Sequence, residues 1–341
     1  LEAQIQNLEA QIQNLEAQMQ NLEAQMQKKK EHIVDPFNMQ KVTILGHGAV
    51  GSALCDEWSS RGLLYSVWDP KPERCVPPAH SSSSMPVRPS SQEHSKDSSH
   101  EPVRCEPESP EDLGDWIFLA VRDSAIPSAV NQLTRIPCDW SHKTVVHLSG
   151  SLGLTPLQPL ADQGASIASM HPLQTFTYPS GRESLDSIFY SLMGDEAVTS
   201  TLQTWIREKH GTYKMVTEEQ KQLLHLAAVF ASNYMVSLFH VVESILDNKI
   251  PLSALEPIVR TTLENILKNG PSRSLSGPVQ RGDVDTIQRH LGQLKNDTAR
   301  LRMYKQLGLE ALDIAEQQEG STDSERQNRL KELRKLLEAD Y

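Results

Sequence analysis

The chain has 341 residues, is 38% hydrophobic and carries a formal net charge of −11, enough for two domains plus extra segments. The acidic balance argues against nucleic-acid partners and anionic membrane surfaces, both of which call for a basic face. Four cysteines without C-x-x-C spacing indicate neither a zinc site nor a disulfide framework, and no apolar stretch reads as long enough to span a bilayer. The expected setting is the cytoplasm, with no metal, nucleic-acid or membrane partner.

Residues 1–27 set Leu1, Leu8, Leu15 and Leu22 against Ile5, Ile12, Met19 and Met26 at steps of four and three. This heptad favours a parallel two-stranded coil and stops at Lys28-Lys29-Lys30. It predicts a coiled-coil arm over 1–30 that pairs copies of the chain, or else an appended segment with no part in the chemistry.

Val42-Thr43-Ile44-Leu45 reads as a buried strand running into Gly46-His47-Gly48-Ala49-Val50-Gly51, a G-x-G-x-x-G that opens a helix continuing through Ala53, Leu54 and Trp58. The first glycine allows the tight turn, the second lets backbone approach a pyrophosphate, and the third lets helix pack on strand. The helix N-terminus receives the phosphate charge. A second strand, from Leu63 to Trp68, ends in Asp69, at the offset where an acid meets the adenosine ribose hydroxyls. Asp69 favours NAD, whereas Lys71 and Arg74 close behind it are placed to receive a 2′-phosphate. The expected cofactor is therefore NADP or NAD.

The Ser- and Pro-rich stretch 79–110 cannot build a core and reads as a disordered surface insertion. Strands resume at Trp116 to Val121, followed by Arg122-Asp123-Ser124, then at Thr144 to Leu148, ending in Ser149-Gly150-Ser151, and at Ser166 to Met170, ending in His171-Pro172. In a parallel open sheet, ligands sit outside the carboxyl ends of the strands. The glycine turn (His47, Ala49 and Val50 included) and Asp69 would hold the adenosine half, while Val121, Arg122 and Ser149 would flank the nicotinamide half. Ser149 serves equally well as a turn serine capping its own backbone, and His171 as a turn residue or a substrate contact.

Beyond Gly194 the patterns are helical, over 197–209, 217–247, 252–268, 284–294 and 297–317, with a last amphipathic segment, Ser324 to Leu337, carrying Leu330, Leu333 and Leu337 on one face. The second pattern is apolar on several faces, which predicts a central buried helix. His225, Ser232 and Asn233 would then form a polar stripe: either satisfied core groups or a catalytic wall. Arg281, in the loop Gly277 to Asp283, either clamps a substrate carboxylate or phosphate or pairs locally in a turn. The resulting plan is a coiled-coil arm over 1–30, an α/β Rossmann-like dinucleotide-binding domain over 39–190, an all-α substrate and dimerisation domain over 191–317, and a charged helix or tail over 318–341.

Gly46 to Gly51, Val121-Arg122-Asp123, Leu148 to Ser151, Ser169 to Phe176, His225 through Asn233, and Gly277 to Asp283 together resemble a bacterial-type family. Its members pair a Rossmann-like NAD(P)-binding domain with a helical domain of unknown function, domain of unknown function 2520. The resemblance covers residues 40 to about 316 in order. It extends to a superfamily that includes ketopantoate reductase, 6-phosphogluconate dehydrogenase and pyrroline-5-carboxylate reductase, in which hydride passes at a cleft between the two domains. Several of those enzymes carry a lysine and an asparagine on the first long helix of the second domain, and matching around Ser232-Asn233 puts His225 at the lysine position. The resemblance implies an NAD(P)-dependent oxidoreductase acting on a small carbonyl or imine, or on the matching alcohol or amine; the expected assembly is a homodimer through the helical domain and the coil. His225 would be the general acid/base, Asn233 would orient the substrate, and His171, Ser232 and Arg281 would contact it. The alternative is a non-catalytic scaffold or sensor that responds to NAD(P)(H).

Overall fold

The computed structural model describes residues 39–71, 74–76, 106–317 and 324–339. The heptad arm and most of the Ser- and Pro-rich stretch, with their expected coil and disorder, lie outside the described residues. The chain divides by compactness into one unit ending at Ser232 and another beginning at Asn233.

The first unit is built on a seven-stranded sheet. Strands β1 (Val42–Leu45), β2 (Leu64–Trp68), β3 (Trp116–Leu119), β4 (Thr144–His147) and β5 (Ser166–Leu173) are parallel in the order β2-β1-β3-β4-β5. The short apolar runs predicted these strands because a sheet covered on both faces buries nearly every side chain. Ile44, Phe118, Val146 and Ala168 pack on one face, in the same core as Leu54 and Trp58 of α1 (Ala49–Ser60). Leu45, Ile117, Val145 and Ile167 pack on the other, with Ile126, Val130 and Leu133 of α2 (Ile126–Leu133) and Leu160 of α3 (Gln158–Ala161).

Two strands extend the sheet beyond the sequence reading: β6 (Phe189–Gly194), antiparallel to β5, and β7 (Thr212–Met215), parallel to β6. They flank α4 (Glu196–Glu208), whose Trp205 lies 5.5 Å from Trp58 between ring centroids. Glu57 of α1 is 2% exposed and accepts from Lys209 Nζ (2.9 Å), Arg61 Nε (2.7 Å) and Trp205 Nε1 (3.1 Å). Burial pushes its carboxyl up, but these donors outweigh burial and hold it below the ordinary value.

A further correction concerns β5, which runs on through His171-Pro172 to Leu173 instead of turning at His171. Past Ser169 this strand pairs only with β6, so Pro172 costs no ladder bond on the β4 side.

The helix α5 (Glu218–Ala228), a π turn (Val229–Asn233) and α6 (Tyr234–Leu246) form one helical run across the division between units. The run is not the buried central helix its apolar faces predict. Lys221 is its buried residue, whereas Leu223, Phe230 and Val236 are 60%, 63% and 71% exposed. A helix apolar all round needs cover on several faces, and each unit by itself covers little of it. At 29 residues, Glu218–Leu246 is also long and apolar enough to cross a bilayer, contrary to the sequence expectation.

The second unit continues with α7 (Glu256–Asn269), α8 (Pro271–Ser274), α9 (Pro278–Arg281), α10 (Val284–Leu294), α11 (Thr298–Gln317) and α12 (Ser324–Glu338). Its core joins Ile287, Leu291, Leu301 and Leu312 to Leu330, Leu333 and Leu337. The last helix is therefore docked through the leucine face that its sequence marks.

Candidate active site

β1 ends at Leu45, and Gly46 turns with φ at +98°, a conformation open to glycine. A Cβ on Gly46 would lie 2.6 Å from the Ala120 carbonyl oxygen, one on Gly51 would collide with the Gly46 carbonyl, and one on Gly48 would meet nothing. Two glycines thus serve the chain's own packing, and the middle one leaves the turn open to an incoming group. α1 starts after Gly48 with no side-chain cap, which leaves its first amides for an anion.

Asp69 is 7% exposed and faces back onto this turn. Its Oδ2 accepts the His47 N–H at 2.6 Å, and its Oδ1 accepts the Lys71 N–H at 2.9 Å. The chain then doubles back, pairing Val76 with Val67. This return brings Arg74 Nη1 to the His47 carbonyl (3.3 Å) and its guanidinium 4.2 Å from the Tyr178 ring centroid. Tyr178 also stands edge-on to His47, at 6.3 Å. Burial pushes the His47 imidazole below its ordinary value.

The register aligns Leu45, Leu119, His147 and Ser169 across β1, β3, β4 and β5, so the residues following them share one carboxyl-terminal edge. α5 lies against this edge. Thr217 and Gln220 start the helix with a capping box, which puts Lys221 and His225 one turn apart on a common face. Lys221 is 1% exposed, and its Nζ donates to Ser169 Oγ. Burial pushes its ammonium from 10.5 down to about 8, opposed by the Asp123 carboxylate.

His171 Nδ1 donates to the Leu148 carbonyl at 3.1 Å, since a carbonyl only accepts, and its Nε2 is left unprotonated. Burial pushes this ring down to about 4, so it is neutral at physiological pH. The His225 ring stands edge-on to it, 6.1 Å away. A Cβ on Gly150 would lie 2.6 Å from His225 Nδ1 and 2.9 Å from His171 Nε2, so both rings close on a residue without a side chain. His147, also pushed down to about 4 by burial, accepts the Ser149 N–H (3.2 Å) and donates to the Gly153 carbonyl (2.9 Å), bracing the loop.

The structure gathers the glycine turn, Asp69, Val121, Ser149, His171 and His225 at this edge of the first unit. Val121 packs against Gly46, and Arg122 is exposed. The Ser149 hydroxyl donates to Asp123 Oδ2 (2.8 Å) and accepts the Ser151 and Leu152 amides (3.1 and 2.9 Å), the turn-capping arrangement.

Ser232 donates to the Ala228 carbonyl at 2.7 Å within the π turn. That turn adds a residue to the helical repeat and breaks the straight stripe expected for His225, Ser232 and Asn233. Asn233 opens the second unit, as an expected catalytic residue. Arg281 belongs to the second unit as well, in a polar recess with Asp283, Gln288, Arg329 and Glu332. Asp283 caps α10 through the Thr286 N–H at 3.1 Å. Lys221 stands on the same helix as His225, one turn before it. It escaped notice because Glu218-Glu219-Gln220-Lys221-Gln222 reads as a solvated first turn. The capping box at Thr217 was the available signal, since it sets the helical phase.

Residues 188–311 match the family model described as Domain of unknown function (DUF2520), and residues 89–172 match the one described as Rossmann-like domain. The chain carries a Rossmann-like domain and a DUF2520 domain. The DUF2520 match begins at β6, and the glycine turn precedes the Rossmann-like match. No curated protein matches the chain. Among solved structures, a Bacteroides fragilis protein, BF3122, described as an NADP oxidoreductase, is 17% identical with a TM-score of 0.62, over 82% of this chain and 100% of its own. Protein TM1727 from Thermotoga maritima is 20% identical with a TM-score of 0.54, over 81% of this chain and 98% of its own. At such identities the likeness establishes a shared fold alone.

Proposed function

We propose that the chain is an NADP-dependent oxidoreductase that interconverts a small carbonyl or imine with its alcohol or amine, with Lys221 handling the proton. The observation that carries this reading is a lysine of 1% exposure at the same carboxyl-terminal sheet edge as an open glycine turn. The turn fits a dinucleotide: Gly48 offers open space, and the amides of α1 have no side-chain cap. A bound nicotinamide dinucleotide supplies or accepts hydride.

The glycine turn would hold the pyrophosphate, with Val121 and Arg122 toward the nicotinamide. Asp69 braces the turn, each of its oxygens already taking a backbone N–H. Lys71 and Arg74 are then the groups for a 2′-phosphate, which is why NADP is favoured over NAD.

Lys221 at about 8 is protonated at neutral pH yet close enough to give up its proton, as a general acid requires. In reduction it protonates the substrate oxygen or nitrogen, and in oxidation it receives that proton. His171 Nε2 accepts a hydrogen bond from the substrate, and His225, closing on the same point, positions it.

Assembly follows from the uncovered apolar faces of the run Glu218–Leu246, which a second copy of the chain would bury as a homodimer. Among the described residues, Cys55 and Cys138 are thiols outside any disulfide, in keeping with a cytoplasmic setting.

The test is thermal unfolding with NAD, NADH, NADP and NADPH titrated separately. Saturable stabilisation, strongest with the NADP pair, supports the reading, followed by a carbonyl and imine screen with Lys221→Met as control. Stabilisation without turnover on any compound favours the sensor, and no shift in folded protein removes both.

A further inference from the structure

We propose that Asp123 is a positioning residue that pins the loop after β4 through Ser149 and Ser151 and stands as the counter-charge for Lys221. The inference rests on the reading of Lys221 as the acid. Asp123 opens the single turn Asp123–Ala125 that follows β3, so the sheet register carries it to the edge where α5 docks. Its Oδ2 accepts from Ser149 Oγ at 2.8 Å and from Ser151 Oγ at 2.6 Å. One carboxylate oxygen thus holds both serines that bracket Gly150, the residue on which His171 and His225 close.

The groups facing Lys221 come from four elements. β4 offers His147, and β5 offers Ser169 and His171. Both histidines are neutral, held down by burial. α5 itself contributes His225, with Glu218 three residues before Lys221 lying against Gly153. The turn after β3 contributes Asp123, the carboxylate that opposes the effect of burial on Lys221. A lysine so deeply buried tends to shed its proton, and a fixed carboxylate keeps it loaded. The same residue therefore couples the shape of the loop to the charge of the acid.

The experiment is 13C NMR of the full chain labelled at lysine Cε, titrated from pH 6 to 11, with the Lys221 signal assigned by its loss in Lys221→Met. The Lys221 midpoint is expected to fall by about one pH unit in Asp123→Asn and to return toward the wild-type value in Asp123→Glu. Asp123→Ser, a second neutral variant, carries the same expectation if the asparagine variant does not fold. A wild-type midpoint near 8 that stays put in the neutral variants overturns the role of Asp123 and leaves that of Lys221 standing. A wild-type midpoint at the ordinary lysine value of 10.5 overturns both.

Discussion

Replacing Lys221 with methionine is expected to stabilise the first unit while abolishing turnover. The ammonium is 1% exposed and lowered from 10.5 to about 8, which at 1.36 kcal/mol per pH unit makes its burial cost about 3 kcal/mol at neutral pH. Methionine matches the side chain in length and removes the charge, but it strips the fully buried Ser169 hydroxyl of its donor, which returns about 1 kcal/mol. The net gain at pH 7 is therefore about 2 kcal/mol. Its sign with pH follows from linkage: the folded-state value lies below the unfolded one, so the penalty is complete below about 8. It shrinks as pH rises toward 10.5 and vanishes above. Urea unfolding followed by tryptophan fluorescence reads this unit alone, because all five tryptophans (Trp58, Trp68, Trp116, Trp140 and Trp205) belong to it. The advantage of the variant should fall to near zero by about pH 10. A variant less stable than wild type at pH 7, or a difference that ignores pH, refutes the buried-charge argument.

Gly51→Ala drives a methyl group into the Gly46 carbonyl and should abolish dinucleotide-induced stabilisation in the thermal assay while lowering basal stability by about 1–3 kcal/mol. Arg74→Ala should weaken NADP binding roughly tenfold in calorimetry and leave NAD unchanged; equal losses for both would assign Arg74 to the turn instead. Because His171 sits at about 4, His171→Gln should lower turnover without moving any limb of the pH–rate profile above pH 6. Leu226→Asp combined with Val236→Asp should convert a dimer to a monomer by light scattering, whereas wild type that partitions into lipid vesicles would assign the helix to a bilayer.

The sequence laid out the parallel strands and most helices because their signals are local. Val42 to Leu45 before a glycine turn and the leucine face of the last helix each name their element within a few positions. Strands β6 and β7 were missed because Phe189–Gly194 and Thr212–Met215 are short and lie beside stronger helical patterns, so only the pairing of β6 with β5 and of β7 with β6 makes them strands.

The candidate site divides along the same line. The glycine turn, His171 and His225 were legible as candidates from residue type and spacing, since glycine geometry and imidazole chemistry belong to the residues themselves. Tertiary structure alone decided which polar groups are dry. It sank Lys221 from a solvated-looking first turn onto Ser169, occupied the Ser149 hydroxyl with Asp123 and two amides of its own loop, and spent both oxygens of Asp69 on backbone amides. It also left the apolar helix exposed that composition alone assigns to a core. Burial and hydrogen-bond partners come from residues far away along the chain, and those distances close only when the sheet is assembled.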